Sequence, residues 1–254
     1  MMTANELVRR CVDVAQNCKT LYVMGCFGAP MTAANKKRYT QNHVYNKAAD
    51  RTRMINAATA DTFGFDCVCL IKGILWGWSG DTSKTYGGAS YASNGVADVS
   101  ADGMIKLCKG VTTDFKRVVP GAAVWMSGHI GVYIGDGLAV ECSPKWENRV
   151  QITAVGNLGK KTGYNTRTWT KWGLMPYVDY ITKEEDDEML SYEQWKTYME
   201  QYRKELAGQP VPAWAEQTGE WDKAYKAGII ADKSRPQDLI TRAEAAAMVV
   251  RAQD

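Results

Sequence analysis

The chain has 254 residues, 45% hydrophobic and 23% charged with a net charge of +3, which is the composition of a soluble globular protein and excludes fibrous or low-complexity classes. No apolar run approaches the ~18–20 residues that cross a bilayer, and the opening MMTANELVRRCVDVAQ breaks into charges too early for an export signal. Seven cysteines, an odd number without such a signal, point to reduced thiols.

In chain order, Thr3 and Glu6 form a T-x-x-E capping box ahead of Leu7, Cys11, Val14 and Cys18, which predicts a helix over about 4–18. LYVMGCFG (21–28) reads as a short buried strand ending in a glycine turn. Residues 29–62 are polar, without a clear period, and contain His43; they read as a long excursion with one short helix. Residues 66–78 read as a buried helix, stopped by the glycines and polar residues of GWSGDTSKTYGG. Ser100 or Asp98 caps a further helix carrying Met104, Ile105 and Leu107.

After Pro120-Gly121 the period falls from helical to two. AAVWM, HIGVYI (129–134) and LAVEC (138–142) read as strands, with GDG at 135–137 as a tight hairpin. VQITAV and WGLMPYVDY complete an antiparallel sheet. Helices first and a meander of strands after them predict an α+β fold.

The acidic run KEEDDE (183–188) suits a linker, so the expected organisation is a domain over 1–180, a linker over 181–190 and a small helical domain over 191–254. In the last of these, Ser191 and Gln194 form a second capping box. Tyr192, Trp195, Met199, Tyr202 and Leu206 then make a helical stripe that stops at Gly208 and Pro210. Trp214, Trp221 and Tyr225 mark another helix ending at Gly228, and Thr241 with Glu244 caps a third. Charge divides the same way. Residues 1–180 carry 21 lysines and arginines against 13 acids, net +8, and residues 181–254 carry 10 against 15, net −5. A basic first part is drawn to polyanions such as an anionic cell wall. Its cations are scattered rather than set along one helix face, so no nucleic-acid footprint is expected.

Cys67 and Cys69 stand one residue apart ahead of an apolar run. Structural zinc takes about four Cys/His ligands, usually in paired units. Here the spacing is C-x-C, no second pair exists and the chain has two histidines, so neither a metal nor an organic cofactor is expected. A thioredoxin-type couple needs C-x-x-C. Two buried small residues remain an alternative, and the better one for this segment alone.

The rest of the chain favours another reading. Asp66 can cap the helix and leave Cys67 in its first turn, where free N–H groups and the dipole favour a thiolate. Cys69, about 200° further round, would face the core. His129 opens its strand after Gly128, and Glu141 falls opposite or nearly opposite it across the hairpin. Taken singly, these are a packed histidine and an exposed strand residue. Jointly, Cys67, His129 and Glu141 make a Cys-His-acid constellation of nucleophile, base and orienting carboxylate.

FDCVCLIKGILWG resembles the F-D-C-S-G-L helix start of NlpC/P60-type cysteine peptidases. PGAAVWMSGHIGVYIGDG resembles their P-G-D-x-V-x-(W/F)…G-H-V-G-I-Y-I-G-N-G stretch. Glu141, twelve residues after His129, falls where that family commonly places its third polar residue. YVMGCFG is similar to the family's Y-x-x-G-G segment, whose tyrosine faces the site and maps onto Tyr22. The resemblance covers residues 1 to about 180. It implies a papain-like α+β fold, with N-terminal helices packed on an antiparallel sheet, and cleavage of amide bonds in cell-wall peptides. It further implies that Tyr22 helps stabilise the oxyanion and that Asp66 helps hold the stem peptide. The chain departs from the family at Val68-Cys69, where S-G is usual, at Ala122 for Asp, and at Glu141, more often His, Asn or Gln. These departures leave the bond cleaved open.

WDKAYKAGIIADKSRPQDLITRAEAAAMVVR resembles a single S-layer-homology-type repeat, which implies binding to a secondary cell-wall polymer; a helical cap or a dimerisation unit is the alternative. The combined expectation is a peptidoglycan hydrolase of endolysin type, from a phage or prophage. It would stay in the host cytoplasm until a holin-type pore releases it to the bacterial cell wall, without inserting into the membrane. The alternatives are a non-catalytic wall-binding or virion structural module, and a thiol acyltransferase on the same core.

Overall fold

The structure, a computed structural model, describes residues 1–180, 192–230, 233, 245 and 248–250. The chain divides into two compact units, Met1–Ile181 and Thr182–Asp254.

Strand β1 (Met2–Thr3) leads into helix α1 (Ala4–Asn17), where Thr3 Oγ1 accepts the Glu6 N–H at 3.2 Å. Leu7, Cys11 and Val14 are buried on one face of α1, as their spacing requires. The segment expected as one strand over 21–28 is two: β2 (Thr20–Tyr22) and β3 (Phe27–Pro30), separated by a turn with Gly25 at φ +76°. Strand β4 (Phe63–Phe65) lies between them, parallel to β2 and antiparallel to β3.

Residues 29–62 hold three helices rather than one: α2 (Ala33–Asn42), α3 (Val44–Lys47) and α4 (Ala49–Ala57). Hydropathy missed them because buried polar side chains anchor them. Asn35 donates to the Pro30 and Thr85 carbonyls, and Asn46 donates to the Met24 and Tyr39 carbonyls while accepting the Met24 N–H. Each is at most 3% exposed. A buried amide that satisfies several backbone groups specifies a loop as firmly as an apolar residue does.

Helix α5 (Cys67–Leu75) is buried at all nine positions. Helix α6 (Ala101–Leu107) is capped by Ser100, which accepts the Gly103 N–H at 3.1 Å; Met104 and Ile105 are buried, while Leu107 is exposed. There follow β5 (Lys109–Thr112), β6 (Ala123–Met126), β7 (His129–Gly135), β8 (Leu138–Ser143), β9 (Arg149–Val155), β10 (Thr166–Arg167), β11 (Lys171–Leu174) and β12 (Val178–Asp179). Seven of these form one sheet in the order β10-β9-β8-β7-β6-β11-β5, antiparallel except for β10 on β9. WGLMPYVDY, expected as one strand, splits after β11, and β12 pairs instead with β1. The β7–β8 hairpin turns through Asp136 and Gly137, at φ +49° and +73°, the backbone twist that suits a tight hairpin.

Alternation gives this sheet two faces. Ile130, Val132, Val140, Cys142 and Val150 share a core with α1 and α5. Val124, Tyr133, Ala139 and Val155 face the other way, beneath Phe115, Trp169 and Trp172. The first unit is therefore mixed α+β, with helices on one face of a largely antiparallel sheet.

The second unit contains α7 (Tyr192–Ala207), α8 (Ala213–Thr218) and α9 (Glu220–Lys226). The helix expected through Trp214, Trp221 and Tyr225 is broken at Gly219, which takes a left-handed φ of +65° between α8 and α9. The linker over 181–190 and the caps at Ser191/Gln194 and Thr241/Glu244 lie outside the described residues. No helix among the described residues is long and apolar enough to cross a membrane.

Candidate active site

Strand β4 delivers Asp66 to the start of α5, and one carboxylate does two jobs there. Oδ1 accepts the Cys69 N–H at 2.7 Å and caps the helix, while Oδ2 accepts the Gly25 N–H at 2.7 Å. The β2–β3 turn, with Tyr22 just before it, is thereby tied to the helix that carries Cys67. A groove of about 420 Å³ opens at this junction, lined by Tyr22, Asp66, Cys67, Cys69, Asp102 and Gly128 among others. Cys69, expected to face the core, is 6% exposed and also lines this groove.

Burial pushes the Cys67 thiol up to about 12, and the Asp66 carboxylate adds to the rise; the N–H groups of Ile130, Val68 and Cys67 itself oppose it. This corrects the expectation of a thiolate at the helix start. The donors are there, but removing water from the thiol outweighs them. Cys67 therefore rests as a neutral thiol, which would have to lose its proton to a base before it could act as a nucleophile. Burial, with the Asp66 carboxylate nearby, also raises the Tyr22 hydroxyl well above its ordinary value and keeps it protonated. Arg51 donates to the Tyr22 carbonyl and lies over its ring, 5.6 Å from the centroid.

His129 is the first residue of β7. The register pairs Val132 with Val140 and Tyr133 with Ala139, which sets Glu141 level with Gly131, one diagonal step from His129 on the same face. The histidine and the carboxylate meet directly, Nε2 to Oε2 at 2.6 Å. Gly131 makes this possible. A Cβ there would stand 2.8 Å from the Val140 carbonyl oxygen and 3.2 Å from the Trp169 ring. Without it, Trp169 lies parallel to the imidazole, with centroids 5.5 Å apart and planes 6° apart.

Glu141 is fully buried. Its Oε1 accepts the Thr153 hydroxyl at 2.8 Å and the Arg167 Nε–H at 2.7 Å. Burial alone would raise its pKa, but the bonds to His129 and Arg167 outweigh burial and hold the carboxyl below its ordinary value. An anionic Glu141 accepts from Nε2–H of His129, which leaves Nδ1 with the lone pair that can take a proton.

The structure thus joins His129 to Glu141 and gathers Tyr22, Asp66 and Cys67 around one groove. The head of β7 links the two sets: Gly128 lines the groove and the Ile130 N–H acts on the Cys67 thiol, while His129, the residue between these two in sequence, does not itself line the groove. Cys67 and His129 share no hydrogen bond at rest, and such contacts commonly tighten only once substrate is bound.

Three supporting residues had escaped notice in the sequence. Thr153 and Arg167 hold Glu141. Asp102 Oδ1 accepts the Gly128 N–H and the Trp125 Nε1–H, both at 2.9 Å, and so steadies the turn before His129. Thr153 and Asp102 sit in a strand and a helix that the sequence did mark, but nothing local shows which partners their polar groups reach, and Arg167 sits on a two-residue edge strand too short for a pattern. No group of three or more His, Cys, Asp or Glu among the described residues is placed to hold a metal ion.

No protein-family model and no curated protein matches the chain. Solved structures similar to it include NlpC1 and NlpC2 from Trichomonas vaginalis, both 14% identical over 68% of this chain, with TM-scores of 0.34 and 0.35. The P60 domain of an antigen from M. avium subspecies paratuberculosis is 16% identical over 70% of this chain and 96% of its own length, with a TM-score of 0.36. The similarity covers 44% and 46% of the two Trichomonas proteins, so the chain spans less than half of each. All three neighbours are NlpC/P60 domain proteins. Likeness of this size does not assign the chain to a family.

Proposed function

We propose that the first unit is a papain-like cysteine hydrolase that cleaves an amide bond in or next to the stem peptide of peptidoglycan. The observation that carries this reading is the Glu141–His129 bond at the head of β7, a strand whose Ile130 N–H reaches the Cys67 thiol at the start of α5 in an open groove. Cys67 Sγ attacks the peptide carbonyl as His129 Nδ1 takes its proton. The collapsing tetrahedral intermediate then receives that proton on the leaving amine, and water releases the acyl-enzyme. Glu141 fixes the imidazole. In this reading the Cys67 N–H and the Tyr22 hydroxyl donate to the developing oxyanion. Asp66 uses both oxygens to build the groove, so its part in holding the stem peptide is secondary to capping α5.

The FDCVC and GHIGVYIG motifs support the substrate class, and the basic charge of residues 1–180 suits an anionic wall. The resemblance of WDKAYKAGIIADKSRPQDLITRAEAAAMVVR to an S-layer-homology-type repeat supports attachment of the enzyme to a secondary wall polymer by the second unit. Release from a host cytoplasm through a separate pore completes the endolysin reading.

The test is mass spectrometry of soluble fragments from purified Gram-positive peptidoglycan. Wild type should release them, Cys67→Ala should lose at least ~10³-fold of the rate, and Cys69→Ala should keep most of it. A freed L-Ala amine on an intact stem would identify an amidase, and shortened stems an endopeptidase. Equal release by wild type and Cys67→Ala rules out the thiol mechanism. No release from several wall types favours a binding module, and a lipid acyl group on Cys67 favours the acyltransferase.

A further inference from the structure

The structure assigns Arg167 as a positioning residue that fixes the orientation and balances the charge of Glu141, and through it sets the readiness of His129 to accept a proton. This rests on the thiol–imidazole reading above. Arg167 reaches the site from β10, where it pairs beside Val155. Its Nε donates to Glu141 Oε1 at 2.7 Å and its Nη2 donates to Ser143 Oγ at 3.1 Å. Its Nη1 also donates to Met126 Sδ at 3.7 Å, and the guanidinium lies over Trp146 and Trp169, 4.8 and 5.6 Å from their centroids, so three bonds and two rings hold it in one orientation.

The consequences are geometric and electrostatic. Arg167 and Thr153 both occupy Oε1, so the carboxylate cannot rotate and Oε2 is left to His129 alone. Trp169 touches both ends, stacking on the imidazole and lying beneath the guanidinium. A fully buried carboxylate without a counter-ion would hold a proton on its histidine partner, and an imidazole already protonated cannot relieve a neutral thiol. Balanced by Arg167, Glu141 orients the ring without filling it.

Among the described residues, the ionisable groups around the pair include Cys142 on β8, whose thiol feels the Glu141 charge, and Asp102 on α6, which accepts the Gly128 N–H; Cys67 on α5 is reached by the Ile130 N–H. β9 presents the uncharged Thr153, and β10 presents Arg167. Lys145 and Lys171 lie over the rings of Trp146 and Trp125, at 4.5 and 4.7 Å.

Two measurements on the full chain need no substrate: the pH dependence of Cys67 alkylation by iodoacetamide, followed by peptide mass spectrometry, and the pH midpoint at which the His129 ring-proton signals move in NMR. With two histidines in the chain, His43→Gln assigns the signals. Arg167→Met should raise the His129 midpoint by about one pH unit and move the alkylation profile with it. Arg167→Lys, which keeps the charge, should restore most of the wild-type position. In a Glu141→Gln background Arg167→Met should shift nothing further, because its effect runs through that carboxylate. An unmoved midpoint in Arg167→Met, or an equal shift without Glu141, overturns the proposal. If Arg167→Met does not fold, Arg167→Gln carries the same expectation, and failure of both to fold assigns Arg167 to stability alone and also overturns it. Alkylation in wild type that ignores the His129 midpoint defeats the thiol–imidazole reading itself, and this inference with it.

Discussion

At the scale of single residues, Glu141 bears on stability and chemistry together. Burial works against its charge, but the bonds to His129 and Arg167 win and set its carboxyl below the ordinary 4.5. A group depressed on folding stabilises fully above its unfolded value and loses that contribution as pH falls below it. Wild type should therefore lose thermal stability as the pH drops below 4.5. Glu141→Gln should be less stable by about 3 kcal/mol at neutral pH, because it leaves Arg167 buried and unpaired, and should decline less steeply in acid. Parallel melting curves against pH for the two proteins would contradict this. Gly131 is the second telling residue. Gly131→Ala pushes a methyl against the Val140 carbonyl and the Trp169 ring, so the β7–β8 backbone must shift and the Trp169 stack on His129 is disturbed. Hydrolysis should fall about tenfold or more while the fold survives, as misplacing a catalytic group costs rate before it costs stability. Unchanged turnover in Gly131→Ala would show that the stack has no part in the chemistry.

At the scale of elements, the junction of β2, β4 and α5 depends on one side chain. Asp66 caps α5 and holds the Gly25 N–H at the same time. Asp66→Ala removes both bonds. It should cost about 1–2 kcal/mol from the cap, and more from the second donor left without its partner. Because the lost bonds set the distance from Tyr22 to Cys67, activity should fall further than stability. Chemical denaturation and wall-hydrolysis rates on the same samples will tell the two losses apart, and a loss of stability alone would make Asp66 purely structural. The register of β7 against β8 is the other element-scale device. Because side chains alternate, a slip of one residue would turn Glu141 to the opposite face from His129 and dismantle the pair. The Asp136-Gly137 turn fixes that register.

At the scale of the whole molecule, charge and contact boundaries fall together. The basic net +8 part ends at residue 180, and the first compact unit ends at Ile181. Every residue proposed for the chemistry lies in that unit. A protein cut after residue 181 should therefore keep its rate on soluble wall fragments and bind whole walls more weakly, as measured by pelleting and by fragment release. Loss of activity on soluble fragments would show that the second unit contributes to the site. Unchanged pelleting would remove its proposed wall-binding role.

Much of this arrangement was legible before any coordinates. The T-x-x-E box and apolar spacing marked α1, period two with GDG marked the β7–β8 hairpin, and Asp66 before Cys67 marked the cap of α5. Each is a local signal, written in neighbouring residues. Three features were decided by tertiary structure alone. The helices over residues 33–57 are anchored by buried amides whose partners lie elsewhere in the chain. The protonation of Cys67 follows from how completely the fold removes water, which no spacing rule measures. The grip of Arg167 on Glu141 joins residues 26 positions apart through an edge strand of two residues. By itself the sequence singled out the residues proposed for the chemistry, because Cys67 and His129 open strongly patterned elements and Glu141 follows a tight hairpin at a readable register. Only the fold decided the protonation of Cys67 and Glu141 and the supports of the pair, since these depend on solvent exclusion and on partners brought from distant parts of the chain.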